Sequence, residues 1–148
     1  MTSPILLCTD GSDQALKALT AGLDLLGRDR TFVLVTAMDT PDEGSLVGSG
    51  HAGPELTPEE YDKRVARAGN TSKSAIEEAR RGLELSDAEV HILRGDPGAA
   101  ICQLATELSA SAIVVGSRGR GGLKRALLGS VSDHVARNAP CSVIVTRS

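Results

Sequence analysis

The chain is 148 residues long, enough for one domain with its own core, and 41% of it is hydrophobic with one Phe, one Tyr and no Trp, so that core has to be aliphatic. Sixteen Lys and Arg against nineteen Asp and Glu leave a net charge of −3, which argues against a general polyanion-binding surface and so against nucleic acid as a partner. Cys8, Cys102 and Cys141 form no CxxC pair and have no histidine at zinc-ligand spacing; they are read as reduced core residues.

The opening MTSPILLCTDGS has no basic leader and only a five-residue apolar stretch before Thr9 and Asp10, so no signal peptide is expected. No segment approaches the roughly 18 apolar residues of a membrane span. A cytoplasmic protein without membrane contact is the expectation. Ile5 to Thr9, closed by Asp10-Gly11, reads as a strand buried on both faces. Ser12 then caps a helix in which Leu16, Leu19, Leu23 and Leu26 recur at helical spacing until Gly27. Thr31 to Ala37 (TFVLVTA) is a second buried strand, rich in β-branched residues.

Met38 to Thr57 carries glycines and prolines without periodicity and is expected to be a long loop. Thr57, with Pro58 and Glu60 behind it, starts a helix running to about Leu85, its apolar stripe marked by Tyr61, Val65, Ala68, Ile76, Ala79 and Leu83. The acidic run Glu55, Glu59, Glu60 and Asp62, balanced by Lys63, Arg64 and Arg67, is read as a solvated face of that helix. Glu89 to Arg94 alternates polar and apolar, as an edge strand does, and Asp96-Pro97 opens a helix with Ile101, Leu104, Ala105 and Leu108 as its buried stripe. Ala112 to Val115 is a fourth strand, Gly129 to Asn138 a short helix, and Cys141 to Thr146 a fifth strand beyond Pro140. The alternation predicts an α/β fold: one domain over residues 1–148, a doubly wound five-stranded parallel sheet with helices on both faces.

The stretch GSRGRGGLKRALLGS, Gly116 to Ser130, follows the fourth strand. It is not a Walker A loop, because no glycine precedes a lysine, and a dinucleotide fingerprint begun at Gly119 and Gly121 meets Lys124 where its third glycine belongs. Gly116 and Gly119 nevertheless let backbone amides approach an anion closely. The helix that starts near Gly129 presents unpaired amides and a partial positive charge, and Ser130 adds a hydroxyl. The competing reading is a solvated loop in which Gly121, Gly122, Arg118, Arg120, Lys124 and Arg125 only cover the surface.

The spacing Gly116-x2-Gly119-x9-Gly129-Ser130, with a first strand ending in Asp10, resembles the ATP-binding branch of the universal stress protein family. The resemblance extends over the whole chain, from ILLCTDGS to the closing APCSVIVT. It implies an adenine nucleotide alpha hydrolase-like sheet of order 3-2-1-4-5, in which Asp10 faces the Gly116 loop and binds the ribose. It further implies an adenine contact from the backbone at Ala37, backbone contacts from Val115 and Val131, and a hydroxyl at Ser132 within reach of phosphate. The implied ligand is ATP, with or without Mg²⁺. The implied partner is a second copy of the chain, joined as a homodimer through the last strand, Cys141 to Thr146.

No residue is singled out as catalytic or as a metal ligand. His51, His91 and His134 share no ligand spacing and are read as surface residues, with His134 the nearest in sequence to the glycines. A nucleotide-binding stress or signalling protein is the favoured reading, because phosphoryl transfer needs an ordered Mg²⁺ site and a positioned nucleophile and Asp10 is the one evident acidic group near the glycines. A slow ATPase or phosphoryl- or adenylyl-transfer enzyme on the same pocket, and a nucleotide-free dimeric scaffold, are the alternatives.

Overall fold

The computed structural model describes residues 2–41, 55–118 and 128–147. The three runs read as buried strands form β1 (Ile5–Cys8), β2 (Phe32–Ala37) and β4 (Ala112–Gly116), whose residues are almost all buried. The more polar β3 (Glu89–Leu93) and β5 (Ser142–Thr146) are partly exposed. All five pair in parallel in the order β3-β2-β1-β4-β5. Apolar strands thus take the centre, where both faces are covered, and the two alternating strands take the edges.

Each connection carries a helix, and three of the four begin on a side chain that accepts a backbone amide. Ser12 accepts from Ala15 at 3.1 Å at the head of α1 (Asp13–Leu26). Thr57 and Glu60 form a reciprocal capping box at α2 (Pro58–Gly82). Asp96 accepts from Ala99 at 2.9 Å at α3 (Pro97–Glu107). The fourth helix, α4 (Ser130–Asn138), starts on Gly129 with no side-chain cap. The long helix stops before the expected Leu85: Glu84 turns to φ +56° and the Leu85 amide closes on the Arg80 carbonyl at 2.9 Å. Of the expected loop, residues 42–54 lie outside the described residues; Met38 and Leu56 on either side are buried.

Because successive strand residues face opposite ways, the sheet divides the interior in two. Ile5, Leu7, Leu34 and Val114 pack with Leu19 and Leu23 of α1 and Ile76 of α2. Leu6, Val33, Val35, Ile113 and Val115 pack on the other face with Ile101 and Leu104 of α3 and Val135 of α4. Two close approaches seat these layers. A Cβ on Gly22 of α1 would lie 2.7 Å from Val114 Cγ1, and one on Gly98 of α3 would lie 2.7 Å from the His134 ring. His134 is therefore a half-buried packing residue between α3 and α4 rather than the surface residue its sequence context suggests. On the other side of the sheet, Thr146 Oγ1 donates to the Ala18 carbonyl at 2.7 Å and ties β5 to α1. Among the described residues no helix is long and apolar enough to cross a membrane.

Candidate functional site

β1 has β2 on one side and β4 on the other, so the chain reverses its order of addition at β1. In open α/β sheets the crevice at the carboxyl ends of such strands is where ligands bind. Asp10 lies two residues past β1, Ala37 is the last residue of β2, Gly116 is the last of β4, and Gly129 and Ser130 begin α4. Eight of the nine expected site residues are thus described, and these segments all end at that rim. Gly119 lies outside the described residues.

Asp10 shapes the turn that leaves β1. Its Oδ1 accepts from the Ser12 amide at 2.9 Å and from the Ser12 hydroxyl at 2.6 Å, while Gly11 takes φ +81° and donates to Thr9 Oγ1 at 3.1 Å. Asp10 and Ala37 line one cleft of about 480 Å³, within the range of small-molecule sites. Thr36, Asp39, Thr40 and Pro41 extend the sheet side of this cleft. Its other wall is α2, through Arg64, Arg67, Ala68, Thr71, Ser72 and Ala75. Arg64 and Arg67 are exposed, as a solvated face implies, and both also border the cleft. The lining positions 64, 67, 68, 71, 72 and 75, two arginines followed by small and hydroxyl residues, keep helical spacing, a signal that the apolar stripe obscured.

The described flanks of the glycine segment are bonded to each other. Gly129 donates its amide to the Ser117 carbonyl at 2.7 Å, and the Ser117 amide in turn donates to the Thr146 carbonyl at 2.7 Å. The Ser132 hydroxyl, 3% exposed, turns inward to the carbonyls of Gly129 at 3.0 Å and Ser117 at 3.3 Å. A Cβ on Gly116 would stand 3.2 Å from Ala18 Cβ and 3.4 Å from the Arg118 carbonyl, so the end of β4 has little room for a side chain. Val115 is buried in the core beneath, and Val131 packs against the same cluster. The first amides of α4 have no partner within the helix, and Gly129 supplies no side chain to accept them.

The three cysteines are free thiols that share the α3/α4 side of the sheet. Burial, then the nearby Cys102 and Cys141, pushes the Cys8 thiol up to about 12, and desolvation also raises Cys102 and Cys141. None is a ready thiolate nucleophile. Among the described residues no group of three or more His, Cys, Asp or Glu could hold a metal ion. His91 pairs with Glu89 at 2.7 Å on β3, away from the rim residues named above.

The arrangement has known counterparts. The family model for the universal stress protein family matches residues 1–147. Universal stress protein YxiE of Bacillus subtilis is 32% identical, with 99% of this chain and 100% of that protein covered. A solved universal stress protein in complex with cAMP is 29% identical with a TM-score of 0.65, covering 98% of this chain and 97% of that one. An Arabidopsis thaliana protein of the family with AMP bound shares the fold at 20% identity and a TM-score of 0.66, covering 99% and 92%.

Proposed function

The chain belongs to the universal stress protein family, and from that premise we propose that it binds an adenine nucleotide, ATP in particular, as a sensor or signalling protein. The observation that carries this reading is the cleft shared by Asp10 and Ala37 at the rim where Gly116 and the uncapped start of α4 also end. Further support comes from the related structure solved with cAMP. In this reading the Asp10 carboxylate accepts from the ribose hydroxyls and the Ala37 backbone meets the adenine. The phosphates lie against Gly116, Gly119 and the head of α4. The Gly129 amide is already committed to Ser117, so the amides of Ser130, Val131 and Ser132 are those offered to phosphate. Ser130 adds its hydroxyl, Ser132 holds the loop base, and Val115 contributes backbone beside Gly116. Mg²⁺, when present, arrives on the phosphates, since the described residues contain no carboxylate cluster to hold it.

Thermal unfolding with ATP, AMP and GTP, each with and without Mg²⁺, tests the reading. ATP is expected to raise the unfolding temperature and GTP to do less; no response to millimolar ATP overturns it. Phosphate release in the same samples separates a sensor from an enzyme, and the sensor reading expects none above background. The partly exposed edge strand β5 supports a homodimer joined along it, because an uncovered apolar edge invites pairing. A concentration-independent monomer in light scattering removes that assignment.

A further inference from the structure

His134 of α4 lies against the first turn of α3. A Cβ on Gly98 would meet its Cγ, Cδ2 and Cβ at 2.7, 2.8 and 2.9 Å, so the imidazole occupies the place where any residue other than glycine would carry a side chain. Gly98 itself is buried. The atoms of His134 nearest to it are carbons, which makes this a contact of shape rather than of charge.

The two helices differ in how their heads are held. α3 starts from Asp96, which accepts the Ala99 amide at 2.9 Å, with Pro97 in its first turn, so its start is a fixed platform. α4 starts from Gly129 with no side-chain cap. On the β4 side its head is held by the Ser117 carbonyl, which takes the Gly129 amide at 2.7 Å and the Ser132 hydroxyl at 3.3 Å. On the α3 side His134 rests on Gly98. A helix end held by two neighbours cannot pivot about either one. His134 follows Ser130 by four residues and shares its face of α4, and helical side chains lean toward the N-terminus. It therefore braces the turn that carries the amides of Ser130, Val131 and Ser132, whose hydrogen bonds to an anion weaken steeply with any loss of alignment.

We infer that His134 is a positioning residue for phosphate: stacked on the Gly98 backbone, its ring fixes where the head of α4 presents its amides. His134 acts through α4 and not by contact with the ligand. The inference rests on the nucleotide reading above and adds to it the pair of residues that sets the geometry of the phosphate end.

Titration calorimetry on the full chain with ATP and adenosine tests it, comparing the wild type with His134→Ala, His134→Phe and Gly98→Ala. His134→Ala is expected to bind ATP about three- to tenfold more weakly, as for one lost amide contact, and adenosine as the wild type does, because adenosine has no phosphate. His134→Phe keeps a flat ring on Gly98 and is expected to retain most of the ATP affinity. Gly98→Ala displaces the ring and is expected to act as His134→Ala does; the two His134 variants carry the test where Gly98→Ala fails to fold. An unchanged ratio of ATP to adenosine affinity in His134→Ala overturns the inference. So does an equal loss for both ligands, which is what a merely loosened fold produces. A loss of ATP in His134→Phe as large as in His134→Ala also overturns it, since the imidazole nitrogens then meet the phosphate themselves. A wild type that binds neither ligand overturns the nucleotide reading together with this one.

Discussion

The Gly129 amide donates to the Ser117 carbonyl across 2.7 Å, so the residue that follows β4 and the residue that precedes α4 are held together. The Ser132 hydroxyl reinforces that junction from inside α4. Ser132→Ala is expected to cost about 1 kcal/mol and to lower the unfolding temperature by about 3 °C. It should weaken ATP more than adenosine, because the head of α4 loses its anchor. Scanning calorimetry and titration of both ligands check this, and an unchanged unfolding temperature would show that the clasp carries no stability.

Ser130→Pro isolates the amides from the fold. Proline is accommodated at the first helical position, and Gly129, at φ −70° and ψ 167°, already has the extended backbone that a following proline requires. The variant removes one amide hydrogen and one hydroxyl while leaving the helix start intact. At 100 times its dissociation constant ATP stabilises the wild type by about 2.7 kcal/mol, and this gain is expected to shrink in the variant while adenosine binding persists. Equal ATP stabilisation of both proteins would sink the phosphate assignment.

Gly22→Ala should destabilise the protein by about 1–3 kcal/mol through overpacking, because the new methyl meets Val114 Cγ1 at 2.7 Å. The helix propensity gained on replacing glycine offsets only part of this. Urea unfolding of Gly22→Ala, Val114→Ala and the double variant gives the coupling. The double variant is expected to be more stable than the two single costs would sum to, and strict additivity would mean that the contact relaxes freely.

Folding raises the Cys8 thiol from its ordinary 9.0 to about 12 through burial, so the native state holds the proton more tightly than the unfolded one. The stability linked to this thiol is complete below about pH 9 and is lost as pH climbs toward 12. Urea midpoints across that window are expected to fall for the wild type and to fall less for Cys8→Ala. At pH 8 iodoacetamide should modify Cys8 only after unfolding, with the half-buried Cys102 and Cys141 reacting sooner; equal native labelling of all three would contradict the burial.

Most of the fold was legible because its signals are local. Ile5 to Cys8 and Ala112 to Val115 are continuous apolar runs, and Thr57 with Glu60, like Asp96 with Pro97, announces a helix within four residues. Asp10, Ala37 and Gly116 were legible as strand ends, which is where an α/β sheet keeps its ligands. The α2 wall was not, since Thr71 and Ser72 become a cleft lining only when β2 lies beneath them, and nothing in a polar helix names the strand it will cover. The shared neighbourhood of Cys8, Cys102 and Cys141 was equally hidden, being made by β1, α3 and the turn before β5.

The partition of the interior by the sheet sets how the sequence can vary. Leu19 and Ile76 belong to one cluster, Ile101 and Val135 to the other. Substitutions in helices that share no neighbours add their costs rather than compound them. The chain therefore holds two separate reserves of tolerance: drift within α3 leaves the α2 wall of the cleft untouched, and adaptation of that wall to a ligand leaves the opposite layer free to change on its own schedule.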